Sequence, residues 1–80
     1  MRCDLHDYLE IACLFTYRVS LRLENGSLRT GKPQTTVTEP GGREYLVFED
    51  ADGHEFRIPL GELVSMTVLD NGARFKHIDF

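Results

Sequence analysis

The chain has 80 residues, and 13 acidic against 9 basic side chains give it a formal net charge of -4 at pH 7. This length predicts a single domain, and a hydrophobic content of 41 % is too high for a disordered chain. An acidic chain is a poor general binder of nucleic acid, because such binding comes largely from lysine and arginine neutralising phosphates. The sequence has no apolar run near the roughly 20 residues of a membrane helix and no secretory leader, so we expect a cytoplasmic protein without membrane contact.

The N-terminal segment, residues 5–15, has the apolar spacing of an α-helix. Asp4 is placed to cap this helix, and Asp7 follows where the helix dipole favours a carboxylate. Five apolar residues fall on one arc of about 120° around this helix, which predicts a stripe that faces the core. Its members are Leu5, Tyr8, Leu9, Ala12 and Phe15.

The opposite arc of the predicted helix combines acidic with aliphatic side chains, where an ordinary outer face is polar. Its members are Asp4, Asp7, Glu10, Ile11 and Leu14. An apolar patch rimmed by charge is typical of a protein-binding surface, and its carboxylates suit a basic partner. Two alternatives stay open, because Ile11 and Leu14 could both lie in the core or be exposed without a role.

From residue 17 the apolar period changes to two, which predicts a series of short strands separated by turns. Asn25-Gly26 and Asn71-Gly72 predict tight turns, and Pro33 predicts an edge, a bulge or a loop within the second strand. The predicted strands cover residues 17–24, 27–38 with an interruption at 31–33, 43–50, 55–60, 64–69 and 74–80. One helix followed by five to six strands predicts a mainly β (α+β) domain over residues 1–80, with the helix packed on a small antiparallel β-barrel or strongly bent sheet.

The two cysteines, Cys3 and Cys13, are ten residues apart. On one helix they would be separated by about 15 Å, whereas a disulfide needs Cα atoms within roughly 7 Å. We therefore expect reduced thiols, and we expect Cys13 to be buried and inert.

Groupings that could support catalysis or bind metal are weak. His6, His54 and His77 are scattered and have no spacing typical of a metal site, with or without the cysteines. A nucleophilic pair of Cys13 with His77 would need a concave pocket. The carboxylates Asp50, Asp52 and Glu55 surround a turn that no calcium-binding loop follows. We therefore predict no enzyme activity, no metal site and no cofactor.

Residues 3–13, CDLHDYLEIAC, resemble the opening CD-x-x-D-x-LE-[IL]-AC signature of the Rho-binding antiterminator family, also called Rof. The stretches 19–26 and 44–47 are similar to segments that follow in that family. The resemblance covers essentially the whole chain. The helix signature is fairly specific, while the strand segments alone are generic.

This resemblance implies a small cytoplasmic bacterial protein with an N-terminal helix on an Sm-like β-barrel. It implies binding to the N-terminal RNA-binding region of the transcription termination factor Rho, in competition with RNA. Asp4, Asp7 and Glu10 match acidic positions of the family helix. The loop before Glu44, with Gly42 and Arg43, matches a secondary contact of the family.

Two other hypotheses remain beside a non-catalytic inhibitor of Rho. The first is an Sm-like RNA-binding module, whose basic surface would be formed by Arg18, Arg22, Arg29 and Lys32. Sm-like proteins that bind RNA usually carry Arg-Gly or Lys-Gly near the last turn, where this chain has Asn71-Gly72. The second is a metal or redox protein that uses its cysteines and histidines.

Overall fold

A computed structural model describes residues 3–80, with side chains from Asp4 onward. One helix precedes six strands: α1 (Cys3–Leu14), β1 (Val19–Leu23), β2 (Leu28–Thr38), β3 (Glu44–Asp50), β4 (Glu55–Pro59), a 3-10 turn (Leu60–Glu62), β5 (Leu63–Val68) and β6 (His77–Asp79). The strands form one antiparallel sheet in the order β4-β3-β2-β1-β5-β6. The predicted α+β class with an N-terminal helix is confirmed. The sheet is not closed, because β4 and β6 remain its edges, so the barrel form of the prediction is corrected to an open sheet.

Helix α1 begins at Cys3, so Asp4 lies in its first turn and does not precede it as a cap. The helix ends in a Schellman motif: the Tyr17 N–H donates to the Ala12 carbonyl and the Thr16 N–H to the Cys13 carbonyl. Thr16 takes the left-handed position with a φ of +51°, where glycine is usual. The end of α1 therefore carries backbone strain at a β-branched residue. No helix in the described part of the chain is long and apolar enough to cross a membrane.

The predicted core-facing stripe of α1 is confirmed at Leu9 and Ala12, which are fully buried. They join the core side chains of the sheet, which are Val19, Leu21, Leu23, Leu46, Phe48, Ile58, Leu63, Met66 and Val68. Tyr8 and Phe15 are partly exposed, which corrects their assignment to the core. They belong instead to an aromatic cluster, in which Tyr8 meets Phe75 edge-on at 5.1 Å and Phe15 stacks on Tyr17 at 5.6 Å.

Strand β2 is continuous through Pro33, and it exchanges one neighbouring strand for another along its length. Residues 28–31 pair with β1, and residues 31–38 pair with β3. The register with β3 shifts between Pro33 and Thr35, which is a bulge of the kind that admits proline. Of the three predicted alternatives at Pro33, the bulge is therefore confirmed, and β2 crosses from one half of the sheet to the other.

Three hairpins have loops of three residues that end in a glycine of positive φ, and the loop before Arg43 differs from the other two because Gly41 also has positive φ. Gly26, Gly42 and Gly53 have φ values of +85°, +87° and +84°, and each donates its N–H to the carbonyl three residues earlier. This is a three-residue loop in which a turn is followed by a left-handed bulge residue. The Asn25-Gly26 prediction is therefore correct in place and wrong in turn type, because Asn25 does not adopt positive φ.

The last predicted strand, 74–80, is shortened to His77–Asp79. The backbone N–H of Arg74 donates to the Tyr17 hydroxyl at 3.1 Å, so it is used by a side chain and not by a ladder. The turn at Gly72 closes when Val68 donates its N–H to the Lys76 carbonyl at 2.7 Å. Segment 70–76 therefore covers the aromatic cluster and does not extend the sheet.

Candidate functional site

The face of α1 turned away from the core presents carboxylates beside an aliphatic side chain. Asp7 and Glu10 are exposed, and Leu14 is 76 % exposed. Asp7 forms no ion pair within residues 3–80. Successive residues of an α-helix are rotated by about 100° around its axis, so Leu14 lies between these two carboxylates when the helix is viewed along that axis. Charged and apolar surface are therefore adjacent. We call Asp4, Asp7, Glu10 and Leu14 the acidic face.

Ile11 differs from the other predicted members of this surface. It is half-buried and packs against the core, so its side chain supports the helix and presents little area to a partner. Asp4 is exposed and lies at the N-terminal end of the same face. The structure therefore brings the predicted carboxylates and Leu14 together on one surface, whereas Ile11 is half-buried against the core.

A shallow groove of about 280 Å³ continues the acidic face toward the sheet. It is lined by Glu10, Cys13, Leu14, Gln34, Thr35 and Thr36. The groove exists because α1 lies against the second half of β2, whose threonines face the end of the helix. An exposed Leu14 beside Glu10 suits a long basic side chain, whose hydrocarbon stem and charged head need different surroundings.

The imidazole of His6 joins α1 to the beginning of β3. Its Nδ1 lies 3.3 Å from Glu10 Oε1 on the next turn, and its Nε2 lies 3.3 Å from Glu44 Oε2. The His6 side chain is only 23 % exposed, whereas that of Glu10 is 58 % exposed. Sequence reasoning missed this contact, because only the folded sheet brings residues 6 and 44 together.

The predicted secondary contact, Gly42 and Arg43, lies in the loop that leads directly into Glu44. Gly41 and Gly42 both have positive φ, and Glu39 donates its N–H to the Arg43 carbonyl at 2.8 Å. The Arg43 guanidinium lies over the Tyr45 ring, 5.6 Å from its centroid. The loop is thus connected to the acidic face through Glu44 and His6.

Cys13 is a free thiol that lies half-buried at the edge of the groove. Burial, with a smaller contribution from the Glu10 carboxylate, raises the pKa of Cys13 to about 11. The expected inert thiol is therefore supported by its surroundings. The Cys3 side chain lies outside the described residues, so a reduced pair remains a prediction.

This raised pKa predicts slow alkylation of Cys13. At pH 8 the folded protein holds roughly 100-fold less thiolate than an ordinary cysteine, so its reaction with iodoacetamide is expected to slow by about that factor. Mass spectrometry of peptides containing Cys13, from folded and urea-unfolded protein, measures the ratio. Equal rates in the two states would contradict the assignment.

The basic residues of the RNA-binding alternative do not form one surface. Strand register places Arg18, Arg22 and Lys32 on the outer face of the sheet, with Ser20 opposite Thr30 between them. Arg29 is opposite the buried Leu21, so it belongs to the other face. Its guanidinium lies 5.4 Å from the centroid of the Phe56 ring.

The remaining histidines take part in local structure. His77 Nε2 donates to Asp79 Oδ1 at 2.9 Å, and His77 Nδ1 forms a hydrogen bond of 2.8 Å with the Thr67 hydroxyl. His77 therefore links β6 to β5 and does not pair with Cys13. His54 and Asp52 donate their backbone N–H groups to Asp50 Oδ1, both at 2.9 Å. The first of these bonds is the main cause that lowers the pKa of Asp50.

These features define a small α+β protein that presents an acidic helical face on an open antiparallel sheet. The family model described as modulator of Rho-dependent transcription termination (ROF) matches residues 1–80, and the chain belongs to this family. Among solved structures, it is similar to YaeO bound to magnesium from Vibrio cholerae O395, at 27 % identity and a TM-score of 0.82. That likeness covers 92 % of this chain and 95 % of the other. Among curated proteins, no significant match is found.

Proposed function

We propose that this protein inhibits the termination factor Rho without catalysis, by binding the N-terminal RNA-binding region of Rho through the acidic face and blocking RNA loading. Membership of a family that modulates Rho-dependent termination supports the choice of partner. The proposal places the protein in the cytoplasm, where transcripts are terminated. Its alternative is an Sm-like RNA-binding module.

The observation that carries the proposal is the composition of the acidic face. Asp7, Glu10 and Leu14 are exposed side by side on a helix whose opposite side is buried by Leu9 and Ala12. The core therefore fixes which side chains α1 presents. Fixed carboxylates steer a basic partner and set its register, while Leu14 supplies apolar area.

Charge favours Rho over RNA as the partner. Surfaces that bind RNA are rich in lysine and arginine, so a row of carboxylates can occupy such a surface in place of phosphates. The formal net charge of -4 suits that role and opposes direct binding of RNA. Arg29 lies on the opposite face of the sheet from Arg18, Arg22 and Lys32. The basic surface of the RNA-binding alternative therefore has one cation fewer.

Each predicted contact residue receives a separate role in the proposal. Asp7 and Glu10 contact basic side chains of Rho, Asp4 extends the carboxylate row, and Leu14 with the groove receives a hydrocarbon stem. Ile11 supports the helix from below. Arg43, next to Gly42 in the loop before Glu44, supplies the secondary contact.

The proposal gives no role to a metal ion. The similar structure from Vibrio cholerae is described as bound to magnesium, and Asp50, Asp52 and His54 are a group of potential ligands in the described part of this chain. Magnesium prefers six oxygen ligands, whereas one donor here is an imidazole and Asp50 Oδ1 already accepts two backbone N–H groups. The donor set fits a hairpin turn better than a magnesium site.

Calorimetry with purified Rho tests the proposal. We expect this protein to bind Rho, and we expect an RNA ligand of the N-terminal region to weaken the binding in proportion to its concentration. Raising the salt concentration should also weaken it, because exposed charges are screened beyond about 8–10 Å. Binding that RNA leaves unchanged would contradict competition, and absence of binding would contradict the choice of partner. A shift of RNA by this protein alone would favour the alternative.

A further inference from the structure

The contact of His6 with two carboxylates contains an unbalanced hydrogen-bonding group. His6 Nε2 is buried and makes no hydrogen bond of good geometry to any side chain of residues 4–80 or to their backbone, although Glu44 Oε2 lies only 3.3 Å away. Its other ring nitrogen, Nδ1, lies 3.3 Å from Glu10. A buried polar atom without a partner is costly, so its presence calls for a physical explanation.

The number of N–H groups on the His6 ring in its two protonation states supplies an explanation. A neutral imidazole has one N–H and one lone pair, so it can donate to only one of Glu10 and Glu44, while its lone pair faces the other carboxylate. A protonated imidazole has two N–H groups and can donate to both. Histidine is the side chain that changes charge between about pH 5 and 8. The arrangement is therefore complete in only one of two protonation states.

We infer that His6 is a positioning residue for Glu10, and that protonation of its ring connects Glu10 to Glu44 and thereby makes the acidic face respond to pH. This inference rests on the proposed function, because it concerns how the same face is presented to Rho. Glu10 belongs to the acidic face and Glu44 does not. A proton on His6 therefore changes a contact residue and its anchor together.

The direction of the response follows from the charges around the ring. Glu10 of α1 and Glu44 of β3 are the charged groups within ion-pair distance of His6 in the described chain. Asp7 and Asp4 are exposed on the same helix, and the guanidinium of Arg43, which precedes Glu44 in the sequence, lies over Tyr45. A positively charged ring therefore attracts the Glu10 carboxylate and partly neutralises its charge. Glu10 then attracts a basic partner less strongly. Acidification is expected to weaken binding.

The first experiment follows the free protein by NMR from about pH 5 to 8. The side-chain carboxyl resonances of Glu10 and Glu44 are expected to shift with the same midpoint as the His6 ring. In a His6→Gln variant the component of these shifts that follows the imidazole is expected to disappear, since glutamine keeps a donor and does not titrate. Carboxyl resonances that do not change as the His6 ring is protonated would overturn the inference, whether or not the protein binds Rho.

The second experiment measures affinity for Rho at pH 8 and pH 6. Between these values we expect wild type to lose affinity about two- to fivefold more than His6→Gln, the range that one exposed ion pair supplies. His54→Gln is the matched control, because His54 also lies beside a carboxylate, Asp50, at the hairpin between β3 and β4. Comparison among variants cancels the titration of Rho itself.

The outcomes separate the two proposals. Equal pH dependence in wild type and His6→Gln, with Rho bound in both, would overturn the inference and leave the proposed function standing. Absence of Rho binding at both pH values would overturn the proposed function and the regulatory role with it. If wild type and His54→Gln both lose affinity for Rho at the lower pH and His6→Gln does not, the result would support both the proposed function and the inference about His6.

Discussion

Replacing Asp7 and Glu10 together with lysine is expected to weaken binding to Rho by about 100-fold or more while the fold survives. Each reversal removes an attraction to a basic surface and adds a repulsion, and close charge pairs across interfaces couple by about 1.5 kcal/mol or more. Both side chains are exposed, so their loss removes no core packing. Calorimetry with Rho measures the affinity, and circular dichroism checks the fold.

The matched control reverses two exposed carboxylates that lie outside α1 and its groove. Glu55→Lys with Glu62→Lys changes the net charge by the same amount on β4 and the 3-10 turn. If position matters, this control is expected to lose affinity by less than about fivefold. A folded Asp7/Glu10 double variant that still binds like wild type would remove the acidic face from the proposal. An equal loss in both pairs would assign the effect to total charge.

A single methyl group at Gly31 is expected to cost about 3 kcal/mol of unfolding free energy, the upper end for overpacking a rigid site. Gly31 is buried where β2 pairs with β1 and β3 at once, opposite Val19 and Asp50. A Cβ there would overlap sterically with the Glu49 carbonyl oxygen and lie 2.9 Å from the Asp50 Cα. These are backbone atoms, so relief requires β2 and β3 to separate.

Urea unfolding of Gly31→Ala measures this cost, with Gly61→Ala as its control. Gly61 is exposed, and a Cβ there would meet no atom within 4 Å. The control is expected to change stability by less than about 0.5 kcal/mol. A Gly31→Ala variant as stable as the control would show that the two strands can move apart without penalty, which would contradict the described crossing.

Local periodicity accounts for what the sequence predicted well. Helix α1 was expected over residues 5–15 and lies at Cys3–Leu14, because Leu9 and Ala12 repeat at helical spacing. Its end was missed by one residue, since Thr16 occupies a left-handed position that glycine usually signals. Alternation likewise predicted β1 and β4, and a continuous apolar run, residues 45–48, predicted β3. The acidic face followed from the same helical geometry.

Long-range pairing accounts for what the sequence did not predict. The continuity of β2 through Pro33 depends on where β1 stops, which residues 31–33 do not encode by themselves. The open edges of the sheet depend on whether β4 meets β6, and hairpin spacing is the same in either case. The ion pair of His6 with Glu44 spans 38 positions, so no motif contains it.

The anchoring of α1 has a consequence for any peptide designed to present the acidic face by itself. The helix has 12 residues, and isolated helices shorter than about 12–15 residues are marginal in water. A synthetic peptide of this segment would have to order itself on binding, and that entropy would be subtracted from its affinity. The sheet removes this cost in advance by burying Leu9 and Ala12. A peptide mimic would therefore need a covalent cross-link between side chains on the side of the helix that the sheet covers in this protein.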